Sequence, residues 1–182
     1  MSVNEVIDRH LVELDPKISA SSPGKPGENS LRLFYVTHAE SPSEIYVRSD
    51  KLADNWRKFQ HRIEAELSQF PRDVEEDILI GDLVGVVNEI YRYRGKILDV
   101  IDSKLCLVQN IDTGTRERVE VKYLCQLPDC LLTVNAFCHR VCLAHIQPTG
   151  SSKAGEWSHS ARERFREKAI NPHGVWLTIE VR

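Results

Sequence analysis

The stretch "CHRVCLAH" carries four metal-binding side chains, Cys138, His139, Cys142 and His145. Thiolates and ring nitrogens at short spacing are the chemistry of a zinc site. The spacing argues against one. "NAFCHRVCLAHI" is rich in strand formers, and a strand advances about 3.3 Å per residue, which puts Cys138 and Cys142 roughly 13 Å apart. Zinc–sulfur bonds of about 2.3 Å do not close that gap. The stretch reads as buried thiols on a strand, with no metal and no other cofactor expected.

Bulk properties narrow the classes further. With 182 residues, 41% of them hydrophobic, the chain can bury a real core as one large domain or two small intertwined ones. A net charge of −3 argues against direct nucleic-acid or anionic-membrane binding, which needs clustered Lys and Arg. No apolar run approaches the roughly 20 residues that span a bilayer. "MSVNEVIDRHLVEL" carries Glu5 and Asp8 and lacks the apolar core of a signal peptide. Five cysteines, an odd number at irregular spacing, form no disulfide framework and read as reduced, intracellular thiols.

The elements that would position any site follow from periodicity. Residues 1–18 form an arm and the Pro/Gly-rich run 19–30 a linker. Two strand-like runs, 31–38 and 44–48, flank the turn former Ser41-Pro42-Ser43. Leu52, Trp56, Phe59, Ile63, Leu67 and Phe70 then recur at steps of three and four, the stripe of one long helix. Ser49 or Asp50 can cap its start, and Pro71 accounts for its stop. From Gly81 the texture changes to short strands with close turns, 82–88, 91–101, 104–111 and 116–121, which suggests a small antiparallel barrel. A strand (135–146), a helix near 157–169 and a closing strand in "VWLTIEV" follow. The barrel looks inserted into a second β-rich unit, so the expected fold is mainly β with two or more helices (α+β).

One turn in the barrel is distinctive. "LVQNIDTGTRERV", residues 107–119, is two strands around Asp112-Thr113-Gly114-Thr115. With Gly81-Asp82, Tyr93-Arg94-Gly95, Glu117, Val119 and Leu127-Pro128 it resembles the core of a Tudor domain, whose pattern runs G-D-x-C-x-A-x-F, W-Y-R-A, F-x-D-Y-G-N-x-E-x-V and L-x-x-L-P. "FYVTHAESPSEIYVR" before it and "FCHRVCLAHIQPTG" and "EWSHSARERF" after it are similar to the flanks of extended Tudor domains. The resemblance spans residues 31–182. It implies a Tudor barrel (73–128) inserted in a split staphylococcal-nuclease-like OB fold, whose first half with the linking helix is 31–72 and whose second half is 129–182.

The same resemblance implies a function: binding the N-terminal arginine-rich tail of a PIWI-clade Argonaute in the PIWI-interacting RNA pathway, in cytoplasmic, perinuclear germ granules (nuage). Family pockets grip dimethylarginine with about four aromatic faces and an Asn, each face worth about 0.5–2 kcal/mol. Carried over, those positions fall on Val87, Tyr93, Asn110, Thr113 and Thr115, and one aromatic of four survives. Losing three faces at roughly 1 kcal/mol each would cost about a hundredfold in affinity. The expectation is therefore a receptor that does not require methylation. Tyr91, on the strand face of Tyr93, could supply a second wall, and Glu89, Asp112 and Glu117 could accept from an unmodified guanidinium, which offers five donors.

Three other readings stand beside it: a conventional symmetric-dimethylarginine reader, a nuclease or RNA-binding module, and an assembly module that binds other copies or other Tudor proteins. Metal-dependent hydrolysis needs clustered carboxylates that the sequence lacks, and "RERFREK" (162–168) interleaves its charges as a solvated face does. No enzymatic activity is expected.

Overall fold

The computed structural model describes residues 12–14, 32–69, 78–149, 155–170 and 176–179. The linker 19–30, Phe70 and Pro71 lie outside them. The chain divides into two compact units, Met1–Lys51 with Cys138–Arg182, and Leu52–Phe137.

The first unit is a five-stranded antiparallel sheet, built in chain order from β1 (Val12–Leu14), β2 (Arg32–Ser41), β3 (Glu44–Ser49), β9 (His139–Leu143) and β10 (Trp176–Ile179). Its spatial order is β1-β9-β3-β2-β10. Three residues of the expected arm are thus an edge strand, with Val12 opposite Leu143 and Leu14 opposite Val141. The run expected as a strand over 135–146 is extended only at His139–Leu143, so Cys142 sits on that strand and Cys138 just before it. Helix α3 (His159–Ala169) starts where the Ser158 hydroxyl accepts from the Ala161 amide, and buries Phe165 and Ala169. Those two join Phe34, Ala39, Ile45, Val47, Val141 and Leu143 in the unit's core. Arg166 on the same helix pairs with Glu40 of β2.

A 3-10 turn, Asp50–Leu52, leads into the second unit, and its Asp50 carboxylate accepts from the Lys51 amide at 2.7 Å. Helix α1 (Ala53–Gln69) follows and buries Phe59, Ile63 and Leu67, three residues of the stripe expected from periodicity. They pack on Val87, Cys125, Leu127, Leu131 and Phe137, with α2 (Asp129–Leu132) supplying Leu131. Then comes the meander β4 (Leu83–Val87), β5 (Arg92–Asp102), β6 (Leu105–Asn110), β7 (Arg116–Glu120) and β8 (Leu124–Gln126), in the order β7-β6-β5-β4-β8.

That order forces curvature. β7 and β8 are the two edges, yet only the 3-10 turn Val121–Tyr123 connects them. Flat, the edges would stand roughly 19 Å apart, four steps of about 4.8 Å. Four residues span at most about 14 Å. The sheet curls nearly shut, and Val84, Val86, Tyr93, Ile97, Cys106, Val108, Val119 and Leu124 fill the interior. Crowding there is tight enough to specify Gly95, where an added Cβ would overlap Val108 Cγ1 and come within 3.3 Å of Val86 Cγ2. Both neighbours are β-branched and stiff. Gly95→Ala is therefore expected to destabilise the barrel by about 1–3 kcal/mol in chemical denaturation, as overpacked cores do. An unchanged midpoint would mean that Val108 has room to move.

Candidate functional site

Strand direction gathers the site at one end of the barrel. β4 rises into the 88–91 loop and β6 into the 111–115 turn, so both connections lie at the same end, with the β5–β6 hairpin at the other.

The 111–115 turn is held by its backbone. The Asn110 amide donates to the Thr115 carbonyl at 2.9 Å, the Gly114 amide to the Asn110 carbonyl at 2.8 Å, and the Ile111 amide to the Arg94 carbonyl at 3.1 Å. Asn110 Oδ1 accepts from the Asp112 amide at 2.9 Å. Gly114 supplies a φ of 84°, the left-handed conformation that glycine takes without strain. Thr113 and Thr115, at the expected ligand-gripping positions, bring their hydroxyls to 2.8 Å of each other.

Asp112 turns inward. It and Arg94 are each 1% exposed, joined by Nε to Oδ2 at 3.0 Å and Nη2 to Oδ1 at 2.6 Å. Asp112 Oδ1 also accepts from the Phe137 amide at 3.1 Å. Arg94 donates further to the carbonyls of Leu131 and Val134, both at 2.6 Å, and its guanidinium lies 4.6 Å from the centre of the Phe59 ring. The expected ligand contact at Asp112 gives way to a structural ion pair.

Two positions correct the expected pocket. Val87 is 4% exposed and packs with α1 against Phe59, Ile63 and Leu67. Alternation along β4 puts Val84 and Val86 inside the barrel with Tyr93, so the next residue on that face is Asn88, one position beyond the expected one. Tyr93 itself is 6% exposed, and its ring belongs to the barrel core. Its hydroxyl reaches the end of the barrel and donates to Glu117 Oε1 at 2.5 Å. Tyr91, 41% exposed, donates to Glu117 Oε2 at 2.7 Å, its ring centre 5.9 Å from that of Tyr93.

Tyr91, Tyr93 and Glu117 are thus brought together, two phenols on one half-buried carboxylate. Burial, then the bond to Glu117, pushes the Tyr93 phenol well above its ordinary range. Tyr91 is raised first by its bond to Glu117 and then by burial, with the Asn88 amide holding it partly back. Both phenols stay protonated donors at neutral pH. A carboxylate has about four acceptor positions, so Glu117 keeps two for a further donor. Glu89 lies beside them, exposed on the 88–91 loop. Sequence reasoning missed Asn88 and the partnership of Arg94. The Asn, a turn former before two strand residues, was the available signal for the first.

Among the described residues no group of three or more His, Cys, Asp or Glu is arranged to hold a metal ion. The ion pair supports the turn by a large margin. Arg94→Ala is expected to cost about 3–5 kcal/mol in urea denaturation, the cost of leaving a buried charge without its partner. A loss below about 1 kcal/mol would mean that water replaces the guanidinium.

The Tudor domain family model matches residues 28–145. The human TDRD1 extended Tudor domain, solved with a symmetrically dimethylated peptide, is 17% identical, with a TM-score of 0.69 over 93% of this chain and 83% of that one. Extended Tudor domain TD3 of mouse TDRD1, solved with a MILI peptide containing dimethylarginine, is 19% identical, with a TM-score of 0.63 over 81% and 74%. Tudor in complex with symmetrically dimethylated Aubergine is 20% identical, with a TM-score of 0.54 over 61% and 65%. No curated protein matches by sequence. The likenesses are of fold, an extended Tudor architecture of two antiparallel sheets. Given the barrel, its turn and the extent of the family match, this chain belongs to the Tudor domain family.

Proposed function

We propose that this domain is a non-enzymatic receptor for an arginine-rich tail of a PIWI-clade Argonaute, and that it takes the arginine without requiring methylation. The observation that carries this reading is Glu117, a carboxylate fixed between two tyrosine hydroxyls at the end of the barrel. An unmodified guanidinium pairs with a carboxylate through parallel N–H donors. Each added methyl removes one donor and presents an apolar group that wants an aromatic face. At 110, 113 and 115 this chain offers an amide and two hydroxyls instead.

The kind of partner follows from the relatives, whose complexes contain MILI and Aubergine peptides. A scaffold of perinuclear germ granules is the setting in which such a receptor would work. Tyr91 supplies the exposed aromatic wall, Tyr93 the buried hydroxyl that aims Glu117, and Glu89 a second negative charge for the remainder of a basic tail.

The test is calorimetry with paired tail peptides, identical except for symmetric dimethylation of one arginine. The unmodified peptide is expected to bind as well as the methylated one or better. Glu117→Gln, checked for folding by its melting curve, should weaken it about tenfold or more, the loss of a charge-assisted pair. Binding by the methylated peptide alone would overturn the reading and make this an ordinary dimethylarginine reader. Silence from both peptides would favour an assembly module.

A further inference from the structure

Between β4 and β5 the chain turns through Asn88-Glu89-Ile90-Tyr91. The turn is pinned: Asn88 Oδ1 accepts from the Ile90 amide at 2.9 Å and from the Tyr91 amide at 2.8 Å, and the Asn88 amide donates to the Tyr91 carbonyl at 3.2 Å. At its tip Ile90 is 87% exposed. Single exposed apolar residues are ordinary. This one is branched, sits on a turn with little freedom, and adjoins Tyr91, whose hydroxyl is bonded to the Glu117 carboxylate. A stiff side chain on a fixed turn loses little entropy when something packs on it.

We infer that Ile90 is a specificity-determining residue, taking an apolar side chain two positions from the bound arginine. The inference rests on the reading of Glu117 as the arginine acceptor. In an extended peptide, residues two apart share a face and lie about 6.6 Å from each other. With the arginine turned towards Glu117, the residue two positions away faces the same surface, within reach of the 88–91 turn. The exposed Glu89 beside Ile90 suits the basic remainder of such a peptide. The preferred ligand is then an unmodified arginine with an aliphatic partner at one of the two positions, Arg-x-Leu or Leu-x-Arg, rather than any arginine-rich run.

The experiment is a titration of the whole domain with four unmethylated peptides, carrying leucine or serine two residues before or two residues after the arginine, against the wild type and Ile90→Ser. Because Ile90 is almost wholly in water, the variant keeps its core. One leucine peptide is expected to bind the wild type about fivefold tighter than its serine twin, the worth of a partly buried aliphatic contact. Ile90→Ser should abolish that preference and leave the serine peptides unchanged. If leucine and serine peptides bind equally, or the preference survives in Ile90→Ser, this inference falls and the arginine receptor stands. If no peptide binds, both fall together.

Discussion

The pair between Arg94 and Asp112 organises the barrel unit. One guanidinium ties β5 to the 111–115 turn, caps the carbonyls of Leu131, Val134 and Asn135, and lies over Phe59 of the long helix. A buried ion pair is not in itself a net source of stability, because taking both charges out of water costs as much as their attraction returns. Its value here is in what it forbids. Any rearrangement of the turn, of the segment after β8 or of α1 strands a charge or leaves carbonyls without a donor, so competing packings of the same apolar core are raised far above this one.

That constraint separates the fold of the turn from its ligand chemistry. The backbone path over 110–115 is set by Asp112 facing inward, by the Asn110 side chain and by the φ of Gly114. Nothing in that list depends on the residues at 113 and 115, whose hydroxyls bond to each other. Aromatic and amide side chains can therefore be exchanged for threonines there at no cost to the turn, and a domain can keep the architecture of the family while changing what it binds. The change is coherent with the rest of the site, where the surviving tyrosines point their hydroxyls at a carboxylate.

The element order was readable because its signals are local. Steps of three and four marked α1, and Gly- and Asp-containing turns marked the barrel strands within a residue or two. The site was readable only to one residue on β4, for a physical reason. Val84, Gly85, Val86 and Val87 are all buried, the even positions by the barrel interior and Val87 by the helix. A strand covered on both faces loses the apolar–polar alternation that would reveal which residues point inward. Asp112 misled for a different reason. A carboxylate in a turn looks solvated until its partner is known, and Arg94 lies 18 positions away with apolar neighbours that gave no hint of pairing. The edge strand Val12–Leu14 is too short for any pattern to mark it.

What remains at the end of the barrel is a site whose polarity has been inverted relative to an aromatic cage. A cage attracts a cation through ring faces and tolerates, even favours, the removal of N–H groups by methylation. A carboxylate attracts the same cation by charge and by counted hydrogen bonds, so every N–H removed is a contact forgone. Tyr93 sits at the boundary between the two designs. Its ring is committed to the core, where it cannot act as a wall, and only its hydroxyl is left to the surface. Burying that ring costs nothing in a receptor that reads charge, because the tyrosine's remaining task is to hold Glu117 in place. In a receptor that read methyl groups, the same burial would remove the last aromatic face inherited at the matched positions.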